Sequence, residues 1–147
     1  MLHKTLLAAM AAMLAFAAVG MAVAPTEAFS ENKFIETWNA NAGVLQRTRD
    51  RLQANPTKRQ IVRSVREMAR AENRIVMWLR DHRATACQRP WSDRMVLRGT
   101  EARKLFKAAA RSADNRRFGV ALRQLERGLQ SATAMGRAAT RMVETCP

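Results

Sequence analysis

The chain is 147 residues long and carries 26 Lys+Arg against 12 Asp+Glu, a formal net charge of +14, with arginine supplying 21 of the 26 cations. This length fits one domain. So basic a surface favours anionic partners: nucleic acid, acidic lipid or an acidic polymer. Two cysteines with no C-x-x-C pair exclude covalent haem attachment and a dithiol redox motif.

The N-terminus has the layout of a secretory signal peptide. Lys4 marks a short basic region, Leu6 to about Val19 is apolar and alanine-rich, and Ala22-Val23-Ala24 and Thr26-Glu27-Ala28 are both small-x-small cleavage sites. Cleavage after Ala24 would leave Pro25 first, so cleavage after Ala28 is expected. That divides the chain into a signal peptide, residues 1–28, and a single helical domain, residues 29–147. An uncleaved anchor is the alternative, since Leu6 to Val23 is near the lower limit for spanning. Losing residues 1–28 removes Lys4 and Glu27 together, so the charge is unchanged. The expected compartment is periplasmic, or the protein is secreted.

Four helical patterns follow, with no strand pattern. The first covers about residues 30–54. Ser30 is placed to cap it, Glu31 complements the dipole of its first turn, and Phe34, Trp38, Leu45 and Leu52 mark its apolar side. Asn55-Pro56 ends it, because the residue before proline avoids the α region. The second, residues 57–85, has two opposed faces. Ile61, Val65, Met68, Glu72, Ile75 and Leu79 recur at alternating spacings of four and three. Arg59, Arg63, Arg66, Arg70 and Arg74 lie about 180° away at roughly 100° per residue. The third covers about residues 91–113, with Trp91, Met95, Ala102, Leu105, Phe106 and Ala109 on its apolar side. In the fourth, about residues 115–145, Phe118, Leu122, Leu125, Leu129, Ala132, Gly136, Ala139 and Val143 form a heptad seam that ends at Cys146. Arg116, Arg123, Arg127 and Arg141 fall on its far side as a second basic ridge. The connections are short, so the expected fold is all-α: an antiparallel up-down-up-down four-helix bundle.

That topology brings Cys87, after the second helix, to the same pole as Cys146. A disulfide is expected there, and closing a loop of about 60 residues is worth roughly 4 kcal/mol in the chain-entropy model. The competing reading, a metal held by both cysteines with His82 and Glu144, has no recognised ligand spacing. Neither a metal nor a cofactor is expected.

Glu72 interrupts the apolar stripe at a core position and needs a partner. Arg98, on the inward side of the third helix, is the expected one. The arginine ridge can offer forked donors to phosphates or carboxylates, with Trp78 to one side of it to stack or meet a headgroup. Glu67 sits beside the ridge and can pair with Arg63 or Arg70. No carboxylate pair and no Ser/His/Asp set supports an enzyme. No helix-turn-helix or zinc finger supports sequence-specific DNA recognition. The expected function is an exported, non-enzymatic bundle whose arginine faces hold an anionic envelope partner. That partner is an acidic lipid, polymer or protein surface, with peripheral contact at the membrane. The alternative is a periplasmic chaperone or inhibitor-type protein-interaction module.

Overall fold

A computed structural model describes residues 27–146. The signal-peptide expectation falls almost wholly outside them. The order is β1 (Glu27–Ala28), α1 (Glu31–Gln53), α2 (Lys58–Asp81), β2 (His82–Arg83), α3 (Arg89–Asp114) and α4 (Phe118–Thr145). The four helices pack into an all-α bundle, α2 against both α1 and α3, and α3 against α4. Among the described residues no helix is long and apolar enough to cross a membrane.

Local chemistry sets the helix boundaries. Thr57 caps α2 through a reciprocal box: its hydroxyl accepts from the Gln60 amide, and the Gln60 side chain accepts from the Thr57 amide. The helix ends at Asp81, short of the expected Thr85. Its apolar stripe stops at Leu79, and the chain beyond becomes extended, pairing in parallel with β1 through Glu27 with His82 and Ala28 with Arg83. This two-residue ladder is a strand where none was expected. A second box, Thr85 with Gln88, leads into α3, which tolerates Pro90 in its first turn. The α3–α4 connection is a Schellman turn. The Arg117 amide donates to the Ser112 carbonyl and the Arg116 amide to Ala113, with Arg116 left-handed at φ 58°. Helix α4 therefore starts at Phe118, after the expected residue 115.

The core is three apolar clusters along the bundle. One gathers Phe34, Ile75, Leu79, Met95, Met135 and Met142, the second Val65, Met68, Ala102, Phe106 and Ala109, and a small third Val62, Ala113 and Ala121. Helices α3 and α4 approach closely where glycine allows it. A Cβ on Gly128 would stand 2.6 Å from the Phe106 ring. Cys87 and Cys146 form a disulfide, as expected, and it ties the end of α4 to the α2–α3 connection. Both thiolates of the alternative metal set are thereby used.

The apolar phase of α4 matches the expected seam only in part: Ala139 and Cys146 are buried, and Leu125, Leu129 and Ala132 are half-buried against the core. Its buried residues are Ala121, Gly128, Ser131, Met135, Ala138, Ala139 and Met142, whereas Phe118, Leu122 and Val143 are exposed. The leucine seam lies beside the buried one and borders the gap toward α1, where Trp38 approaches Gly136. Close packing against α3 selects the small residues and two methionines of α4 for the core and leaves Phe118, Leu122 and Val143 at the edge.

Candidate functional site

The guanidinium groups of Arg59, Arg63, Arg66 and Arg70 share one open depression of about 600 Å³ on the outer side of α2, with Lys58, Val62, Glu67 and Asp114 completing its walls. All the ridge arginines are solvent-exposed. The amphipathic phase of α2 explains this: Val65, Met68, Glu72, Ile75 and Leu79 are buried, so residues half a turn away face water.

Both carboxylates in the depression are engaged. Glu67 accepts from Arg63 Nε at 3.1 Å and from Arg51 of α1 at 3.3 Å. Asp114, at the end of α3, stands 3.6 Å from Arg66. Among the described residues Arg59 and Arg70 have no carboxylate partner within 4 Å. Five cations thus surround two carboxylates that are already paired, and a surplus of forked donors remains. A second depression of about 330 Å³ continues from the first along α2 and α3, sharing Arg66 and Arg70 and adding Arg74 and Lys107. Sequence periodicity located the arginines but missed Lys58, Arg51, Lys107 and Asp114. Lys58 stands directly beside Arg59 in the sequence and could have been included. The others come from neighbouring helices.

Two of the expected site residues are otherwise engaged. Arg74 donates from Nε to the buried Asn41 side chain of α1 at 2.6 Å, which anchors it across the α1–α2 seam. Trp78 does not stand beside the arginine depression. It is partly buried at the other end of α2, edge-on to Phe29, against Phe34, and stacked on His82 with ring centroids 3.9 Å apart. In the second ridge, Arg116, Arg123, Arg127 and Arg141 are all exposed, and Arg141 pairs with Glu144 at 3.3 Å.

Glu72 lies in the core at 1 % exposure with its Oε2 unpartnered, and burial pushes its carboxyl up to about 7. The expected pairing with Arg98 does not form. Arg98 pairs with Glu101 at 3.1 Å on the surface, because Met95, Gly99 and Ala102 define the buried phase of α3 and turn residue 98 outward. Hydrogen bonds from Ser131 and Arg98 hold the Glu101 carboxyl below the ordinary carboxylate range. Comparison of the chain with protein-family models, curated proteins and solved structures finds no match.

Proposed function

We propose that this protein is an exported, non-enzymatic binding protein that holds a phosphate- or carboxylate-bearing partner of the cell envelope on the arginine face of α2. The observation that carries this reading is the depression of about 600 Å³ in which Arg59 and Arg70 keep their donors unclaimed while Glu67 and Asp114 are already paired. A polyanion laid along α2 would meet Arg59, Arg63, Arg66 and Arg70 in succession, one about every turn. Export is supported by the signal-peptide layout of residues 1–28 and by the disulfide, which persists in oxidising compartments.

In the antiparallel up-down-up-down order proposed with it, the arginine face belongs to a rigid outer surface. The pattern of partners supports that order. Asn41 meets Arg74 and Arg51 meets Glu67; Asn73 meets Arg103 and Arg66 meets Asp114. In each pair of helices one residue number rises as its partner's falls.

The test is binding of the chain to heparin and to anionic against neutral vesicles, across salt, with Arg63, Arg66 and Arg70 replaced together by glutamine. Loss of salt-sensitive binding in the triple variant is expected. Binding equal to that of the unmodified chain would reduce the ridge to a solvated face. The half-open leucine edge of α4 favours a second reading, a protein-interaction module, which requires suppression of client aggregation with little salt dependence.

A further inference from the structure

One end of the bundle combines exposed apolar side chains with unshared cations. Phe118 is 41 % and Leu122 62 % exposed, one turn apart on the same face of α4. Both open onto an apolar pocket of about 220 Å³ whose other walls include Ile61 and Val65 of α2, Ala109 of α3 and Leu125. Single exposed apolar residues are ordinary, but two on one face above an apolar pocket form a patch. Around that patch stand exposed cations: Arg116 and Arg117 in the α3–α4 turn, Arg123 beside Leu122, and Lys58 and Arg59 at the start of α2. The α2 start and the α3–α4 turn meet here, since Asp114 reaches Arg66 and Val62 packs with Ala113 and Ala121.

A soluble polyanion gives Phe118 and Leu122 nothing to bury against. The boundary of an anionic bilayer offers acyl chains to the apolar pair and headgroup charge to the surrounding arginines. The backbone agrees with a role for the turn. Arg116 occupies a left-handed conformation at φ 58° that glycine or asparagine adopts more cheaply.

We infer that this end of the bundle docks on anionic lipid membranes, with Phe118 and Leu122 entering the interface and Arg116, Arg117 and Arg123 engaging headgroups. The inference rests on the anion-binding reading above and names its partner as a lipid surface. All three tryptophans report on the opposite end: Trp38 and Trp78 pack around Phe34, and Trp91 joins the same cluster. They serve as the internal control.

The full chain and its Leu122→Trp variant are titrated with anionic vesicles carrying brominated acyl chains, and with heparin. The added indole is expected to be quenched while the native three are spared. Phe118→Ala with Leu122→Ala should weaken vesicle binding about tenfold, given the apolar area removed, and leave heparin binding unchanged. An unquenched indole at position 122, with heparin binding retained, overturns membrane docking and leaves a soluble polyanion as the partner. Loss of heparin binding in the Arg63/Arg66/Arg70 variant tests the underlying reading separately.

Discussion

The two ends of the bundle are built from different chemistry. At the end holding the α2–α3 connection, the disulfide and a cluster of Phe29, Phe34, Trp38, Trp78 and His82 lock the chain together. At the other end the helices meet through small side chains, Ala113 and Ala121 among them. Arginines crowd the surface there, and Phe118 and Leu122 face water. The first end packs its aromatic side chains against one another, with Ile35 and Val143 exposed at its edge; the second leaves Phe118, Leu122 and several arginines exposed. The disulfide and the exposed arginines of α2 thus sit at opposite poles of one bundle, and each is expected to be disturbed without the other.

The largest expected effect is at the locked end. Replacing Cys87 and Cys146 by serine should cost about 4 kcal/mol, a fall in melting temperature on the order of 15 °C, by thermal unfolding with and without reductant. Heparin binding at room temperature should persist, because the arginine depression lies at the far end of α2.

Between the poles, Glu72 makes stability depend on pH. Burial pushes its carboxyl in the folded chain up to about 7 from the ordinary 4.5. Between those values the folded chain holds a proton that the unfolded chain has released. Stability therefore falls as pH rises through the window, by about 3 kcal/mol in all, and levels off above it. Glu72→Gln should flatten this dependence and be the more stable protein at pH 8, measured by urea unfolding at pH 5 and pH 8. Equal pH dependence in both would mean that Glu72 finds a charged partner.

A smaller effect concerns close helix approach. Gly128→Ala would drive a Cβ into the Phe106 ring, which has little freedom to move, and should destabilise by about 1–2 kcal/mol despite the better helix propensity of alanine. The smallest sharpens the comparison of ends. Arg116→Gly should stabilise the chain by about 1 kcal/mol by relieving the left-handed turn, while weakening attachment to anionic vesicles.

Much of this fold was legible in the sequence because its helices are long and periodic. The second helix and its opposed faces follow directly from spacing. So does the disulfide, since four helices with short connections leave Cys87 and Cys146 at one pole. Other features depend on tertiary packing. The leucine seam of α4 has the stronger hydrophobic pattern, yet close approach to α3 buries the neighbouring small and methionine face instead. The Thr85–Gln88 box carries the same T-x-x-Q signature as Thr57–Gln60 and was readable. A helix that runs on to Thr85, as the periodicity suggests, hides it. Trp78 lies about 100° from the apolar centre of α2, where a side chain can turn either to solvent or to a neighbour, whereas Arg98 lies at the edge of the apolar side of α3 and packing against α2 and α4 turns it outward.

The central claim is that the unpaired arginines of α2 hold an anion. Its most direct test is the slope of log affinity for heparin against log salt concentration, in the unmodified chain and with Arg59 and Arg70 replaced by glutamine. Each arginine that releases a counterion contributes about one unit to that slope, so a reduction of about two is expected. An unchanged slope with unchanged affinity would contradict the account and place the anion, if one binds, elsewhere on the surface.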